Sequence, residues 1–477
     1  SVLIGQADLY YQLDAFEEAY RIYEKIPKEA DTVRMMPKDL FQYGESAYWA
    51  KQYDRSREIF MTFFNLYPKA PLSPIALARV GETWYLEGNI TESRYISNQI
   101  RSLNPETSGR EINDLLAAIG DLRLIPDRKG DRTDEGRLAL KVIKKQTMAL
   151  LADPSLPKPF QRVIFEAAEQ SARHGALVNA LEIEGALLAR LSSSPFEEEV
   201  RTAFRNTADK TVEQMSKEND AMRVVELYHR HPAAFKPKRR TGSILLKVAI
   251  AHAQTGLLTE AVKLLTPIAA NKMNLLGEEA LFHLGDALYQ NGEYKSAEET
   301  VRHFLARYPK SNRLPLVLEI FAKAKDRQGK WDQAIQAFRS WLKRYPRHLD
   351  RRRISLLLAD AYQRKGDIRH AVEIFAKIDS DFGKSHKGKN RHTELHLKLA
   401  DAYFQLGKYR KAAAFYRLVL KDKAGGKKAD WAQFQLAMSY DRLGRKDQGA
   451  QIFARLAEEA EDPLLKEFSS EKTRDHR

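Results

Sequence analysis

Apolar positions along this chain recur at three- and four-residue intervals, the spacing that gathers them on one face of an α-helix. Around residue 285 the pattern resolves into two stretches. The first runs Leu281-Phe282-His283-Leu284-Gly285-Asp286-Ala287-Leu288-Tyr289 and breaks at Asn291-Gly292, where glycine tolerates the positive φ of a helix C-terminal turn. The second carries Tyr294, Ala297, Val301 and Phe304 and stops at Pro309, which lacks the N–H that a helix interior needs. The spacing predicts two helices joined by a tight turn, with small residues such as Gly285 and Ala297 where the helices approach closely.

The pattern returns about every 37 residues. Phe60, Phe63, Tyr67 and Pro68 have the spacing of Val301, Phe304, Tyr308 and Pro309, and of Phe338, Trp341, Tyr345 and Pro346. Gly292, Gly329 and Gly366 are evenly spaced, as are Gly407 and Gly444. A period of roughly 20–50 residues signals stacked supersecondary units rather than one globular core. Each unit then contacts only its neighbours, and the product is an extended surface. That architecture argues against an enzyme.

The units resemble the tetratricopeptide repeat (TPR) family, whose pattern is a small residue, an aromatic, a Gly turn, an aromatic, Ala, an aromatic, an apolar residue and Pro. One unit reads Ala400, Tyr403, Gly407, Tyr409, Ala412, Tyr416 and Val419. Another reads Ala359, Tyr362, Gly366, Ile368, Ala371, Phe375 and Ile378. Further units centre on Ala7, Gly44, Gly81, Ala249, Gly285, Ala322 and Ala437. The resemblance implies an all-α, right-handed TPR superhelical solenoid of about ten or eleven helical hairpins. The long period and the recurrent Tyr-Pro resemble a subgroup found in bacterial envelope proteins of the outer-membrane-assembly and Tol-Pal-associated lipoprotein type. Residues 106–243 depart from the pattern. The expected organisation is therefore N-terminal TPR units over 1–109, an irregular insertion or linker over 110–160, degenerate helical repeats over 161–240, a C-terminal TPR array over 241–463, and a cap with a frayed tail over 464–477.

Composition narrows the chemistry. Cysteine is absent from the 477 residues, which excludes disulfides, thiolate metal sites and a cysteine nucleophile. It also suits an oxidising compartment, so a periplasmic location is favoured over a cytoplasmic one. No apolar window is long enough for a transmembrane helix. The chain opens on Ser1 inside a repeat, and sequence upstream of it is expected. The net charge of +15 is unevenly placed: −4 over residues 1–230 and +19 over 231–477. Residues 301–430 hold 32 Lys and Arg against 13 Asp and Glu. Such asymmetry points to an acidic protein or an anionic surface as a partner.

The family's groove-facing positions fall on the first helix of each unit. Carried onto this sequence, they name Tyr48, Trp49, Tyr85, Tyr289, Lys323, Arg327, Arg364 and Phe404 as partner-binding residues. Aromatic and Arg side chains are the types that anchor protein interfaces. The bland alternative is that the aromatics only pack between units. The Lys and Asn pattern of a carboxylate clamp is missing. A basic patch is expected at Arg347, Arg351, Arg352 and Arg353, and in a lengthened repeat at Lys384, Lys387 and Lys389; the alternative is solvated surface. Nucleic acid ranks below protein or membrane, because no exposed aromatic platform accompanies the cations. His392 and His396 share a helical face but lack further ligands, so no metal is expected. No catalytic or nucleotide-binding motif appears, and neither a catalytic residue nor a cofactor is expected. The leading reading is a protein-binding scaffold or adaptor in a bacterial envelope, secretion or motility assembly. The alternatives are an adaptor docking on an anionic membrane or polymer, and an accessory region of an enzyme whose catalytic domain lies upstream. The oligomeric state is not legible.

Overall fold

The computed structural model of the chain describes residues 2–26, 35–103, 110–127, 132–153, 156–191, 194–236, 242–271, 275–385, 393–421 and 426–475. Among them are 25 α-helices, one short 3-10 turn (Pro232–Phe235) and no strand. The chain divides into two compact units, Ser1–Ala251 and His252–Arg477.

The first unit contains α1 (Val2–Gln12), α2 (Phe16–Tyr23), α3 (Pro37–Trp49), α4 (Tyr53–Leu66), α5 (Ser73–Leu86), α6 (Ile90–Ser102), α7 (Arg110–Arg123), α8 (Asp134–Leu151), α9 (Lys158–Arg173), α10 (Leu177–Leu188), α11 (Pro195–Lys217) and α12 (Ala221–Arg230). The boundary falls inside α13 (Gly242–Gln254), a little beyond the junction expected near residue 240. The second unit continues with α14 (Leu258–Ala270), α15 (Gly277–Gln290), α16 (Tyr294–Arg307), α17 (Leu314–Arg327), α18 (Trp331–Arg344), α19 (Arg351–Lys365), α20 (Ile368–Ser385), α21 (Thr393–Gln405), α22 (Tyr409–Lys421), α23 (Lys427–Arg442), α24 (Lys446–Glu459) and α25 (Pro463–Asp475). Within each unit, helices pack chiefly on the helices before and after them in sequence, the arrangement of a solenoid. Within the units, consecutive helices such as α3 and α4, α15 and α16, and α21 and α22 form the expected hairpins.

One such pair lies in the stretch 110–160, expected to be an irregular insertion or linker. Residues 110–123 and 134–151 form α7 and α8. Gly120, within the stretch expected to be irregular, lies inside α7. A methyl placed on it would collide with Ser97 Oγ, so the glycine marks close helix packing, not a break. The expected cap over 464–477 includes α25, which is helical to Asp475.

The turns explain why the pairs repeat. At Gly366 (φ +89°), which caps α19, Gly366 N–H donates to Gln363 O and Asp367 N–H to Tyr362 O. The same i to i−5 bond recurs where the turn residue is not glycine: Ala15 N–H to Tyr10 O, Gln52 N–H to Ala47 O and Asp220 N–H to Met215 O. There Asp14, Lys51 and Asn219 take φ values of +59°, +62° and +56°. Turn geometry is thus set by the hydrogen bonds and does not need glycine at every unit. The tyrosine of Tyr-Pro closes its own pair: Tyr67 Oη, at the end of α4, donates to Met35 O before α3 (2.8 Å). Inside the pairs, Ala297, Ala334, Ala371 and Ala412 are fully buried, as are Phe60, Phe304 and Phe375.

Candidate functional site: the face of the first helices

In the first unit the odd-numbered helices α1 to α9 converge, and their charges meet one another. Arg79 on α5 reaches Glu45 on α3 (2.9 Å), Glu82 (2.7 Å) and Glu166 on α9 (2.6 Å). Arg123 on α7 also reaches Glu82 (2.6 Å) and Glu166 (3.4 Å). Beside them, Arg162 (2.5 Å) and Lys158 (2.8 Å) of α9 clasp Asp14, at the turn after α1. Four cations face four carboxylates. Burial pushes the Glu82 carboxyl up, but Arg123 and Arg79 more than offset it, and the group lies below its ordinary range. At Glu166, burial prevails with help from the Glu82 charge, and the carboxyl is raised despite Arg79. Tyr48 is 7% exposed under the Arg79 guanidinium (4.6 Å to the ring centroid). Trp49 is half-buried, edge-on to Tyr48 at 5.1 Å and within 5.1 Å of Arg162. Tyr85 is half-buried at the end of α5. Tyr48, expected to meet a partner, is instead spent inside the protein, because α9 folds back against α1, α3 and α5.

The second unit uses its charges differently. Acids and bases about one repeat apart pair across successive first helices. Arg313, just before α17, approaches Glu279 on α15 (3.6 Å). Arg353 on α19 grips Glu319 on α17 with both Nη atoms, one at 2.6 Å. Arg364 bonds Asp326, and Lys398 on α21 takes both oxygens of Asp360 at 2.7 Å. Asp401 accepts from Tyr416 Oη (2.6 Å) and Trp431 Nε1 (3.3 Å). This ladder was legible in principle as an acid followed one period later by a base, a signal that motif reading overlooks.

Four of the expected partner-binding residues form one patch here. Lys323 Nζ lies 4.7 Å from the ring centroid of half-buried Tyr289. The exposed Arg327 stands beside Tyr289, whose hydroxyl helps hold its guanidinium above the ordinary range. Arg364, also exposed, is fixed beside them through Asp326. Phe404 is half-buried two pairs further on, edge-on to Tyr409 at 5.2 Å.

Of the expected basic patch, four residues lie among the described side chains. Arg353 is ion-paired with Glu319 and with Asp350 (3.2 Å), and the Glu319 bond raises its pKa despite partial burial. Arg347 and Arg351 are exposed and Arg352 is half-buried. Lys384 lies on the last turn of α20 with its side chain outside the described residues, as are Lys387 and Lys389 entirely. His392 is likewise outside them, and His396 Nε2 lies 3.0 Å from Asp379 Oδ1. Among the described residues no group of three His, Asp or Glu side chains could hold a metal ion, and no helix is long and apolar enough to cross a membrane.

Comparison with known proteins bears on the repeats. Three family models described as tetratricopeptide repeat match this chain, one at residues 246–312 and 321–385, one at 40–70 and 431–462, and one at 393–421. No curated protein matches. Among solved structures, the TPR-like repeats of a putative kinesin light chain from Podosopora anserina are 21% identical, covering 38% of this chain and 93% of that one with a TM-score of 0.35. A tetratricopeptide repeat protein from Parabacteroides merdae is 17% identical over 58% of this chain and 98% of its own (TM-score 0.31). Yeast Tom70 is 11% identical over 100% and 96% (TM-score 0.33). Tetratricopeptide repeats therefore stand at the matched segments of this chain, where the helices pair and the turns recur.

Proposed function

We propose that this chain is a non-catalytic scaffold that binds protein partners along the first-helix face of its second unit. TPR folds generally serve protein interaction, not catalysis. The observation that carries the reading is the patch of Tyr289, Lys323, Arg327 and Arg364. An aromatic ring and two guanidinium groups stand there on rigid helices, held in place by internal bonds. Preorganised aromatic and Arg groups are what interface hot spots are made of. The first unit offers no equivalent at Tyr48, where the face is filled by α9. The setting we propose is a bacterial envelope, secretion or motility assembly, suggested by the long period and the Tyr-Pro ends.

The test is capture of partners by the intact chain, with Tyr289→Ala and Arg327→Ala beside the wild type. Loss of a captured protein in both variants, at unchanged helicity, supports the reading. Equal capture by all three proteins refutes it. A second reading, docking on an anionic surface, is favoured by the 32 basic against 13 acidic residues over 301–430. Wild-type binding to anionic vesicles would then fall steeply as salt rises, and Arg347→Ala with Arg351→Ala would abolish it at low salt.

A further inference from the structure

A different face of α17 forms a groove of about 460 Å³ with α16 and α18. Its floor is apolar, made by Leu318, Phe321 and the edge of Trp341. Its lining, among the described residues, holds three cations, Arg302, Lys325 and Arg344, and no carboxylate. Arg302 and Lys325 stand 5.9 and 5.4 Å from the Phe321 ring centroid. The exposed Gln333, Gln336 and Ser340 of α18 add amide and hydroxyl groups along one wall. The nearby Glu298 offsets only part of this charge and leaves Arg344 unengaged by it. It accepts from Lys325 (2.6 Å), Arg302 (2.8 Å) and Gln328 (3.0 Å), with Lys330 at 3.4 Å. One carboxylate is thus shared among three cations. Burial pushes its pKa up, but these bonds prevail and hold it at about 2, so it stays ionised and its cations stay fixed.

We infer that this groove docks an acidic protein segment carrying an apolar side chain, which inserts over Phe321 while its carboxylates meet the exposed Arg302 and Arg344. The inference rests on the scaffold reading and names a partner class for a second face. The volume falls in the range of pockets that enclose a small ligand or a few side chains. Backbone groups of an extended segment find partners in the glutamine amides. A flat membrane cannot reach a recessed apolar floor. A nucleic-acid strand would need exposed rings for stacking, whereas Trp341 is 2% exposed and its N–H is committed to Pro315 O at 2.7 Å. The charge excess over 301–430 adds long-range attraction for an acidic partner.

The experiment measures binding of a fluorescein-labelled polyglutamate peptide bearing one phenylalanine to the intact chain by anisotropy. Ser340→Trp fills the groove from an exposed position, and Arg344→Glu reverses a rim charge; circular dichroism checks that both variants fold. The expected result is binding that weakens about tenfold when the phenylalanine becomes alanine, and about as much in either variant. Tyr289→Ala leaves it unchanged. Binding indifferent to the phenylalanine, or to both variants, overturns the proposal. So does a stronger dependence on Ser340→Trp for phosphatidylglycerol vesicles or a thymidine oligonucleotide than for the peptide. If a natural partner is lost on Tyr289→Ala while the peptide ignores Ser340→Trp, the scaffold reading survives and the groove does not. The converse result removes the Tyr289 patch and keeps the groove.

Discussion

Gly44 and Gly285 occupy the same place in the repeat, yet alanine should act on them in opposite directions. A methyl on Gly44 would lie 2.7, 2.8 and 3.0 Å from three atoms of the Phe60 ring. That ring is fully buried and packs on Phe41 at 5.5 Å. It cannot retreat without moving the core between α3 and α4. Overpacking of this kind costs about 1–3 kcal/mol, and alanine recovers only about 1 kcal/mol through helix propensity. At Gly285 the new methyl would meet Val301 Cγ2 at 3.4 Å and Thr300 Cγ2 at 3.8 Å, ordinary contact distances, so the propensity gain stands alone. Hydrogen exchange of peptides from the two altered pairs reads each local stability separately. Gly285→Ala should slow exchange across α15 and α16 about fivefold, the factor for about 1 kcal/mol. Gly44→Ala should speed exchange across α3 and α4. Shifts of the same sign in both pairs would refute the packing argument.

Other outcomes follow from the same structure. Burial lifts the Glu184 carboxyl to about 8, with Glu169 adding to the rise and the Thr207 hydrogen bond and Lys210 opposing it. A carboxyl raised in the folded state holds its proton more tightly there, so stability falls as pH climbs from about 4.5 to about 8 and is level beyond. Glu184→Gln should therefore stabilise the first unit by on the order of 3–5 kcal/mol at pH 9 and scarcely at pH 4; a melting gain equal at both pH values would contradict this. Lys51→Gly should stabilise α3–α4 by about 1 kcal/mol, since it relieves a left-handed side-chain conformation, and chemical denaturation checks it. Arg79→Ala strands three buried or half-buried carboxylates and should cost about 3–5 kcal/mol, read as a lowered melting temperature of the first unit. Ala334→Phe and Ala371→Phe should each cost about 1–3 kcal/mol by overpacking fully buried positions; unchanged melting would refute their placement.

The amino-acid pattern by itself determined the helical pair, its turn and its stacking. Those features depend on neighbours within about 40 residues, and each repeat states them again. Gly292, Ala297 and Phe304 are legible because backbone conformation and side-chain size act locally. The pattern misread residues 110–151 because a glycine that permits close packing and a glycine that breaks a helix look alike until Ser97 is seen beside Gly120. It named Tyr289, Lys323, Arg327 and Arg364 singly, but their union into a patch needed Asp326 to meet Arg364 across a repeat. The fate of Tyr48 was decided by tertiary structure alone. Arg162 and Asp14 stand 148 residues apart in sequence and 2.5 Å apart in space. Contacts between neighbouring repeats follow from the period, whereas a contact that spans four pairs depends on the accumulated rotation of every pair between. No local run of residues encodes that sum, so only the folded chain shows which charges are buried against each other and which remain to meet a partner.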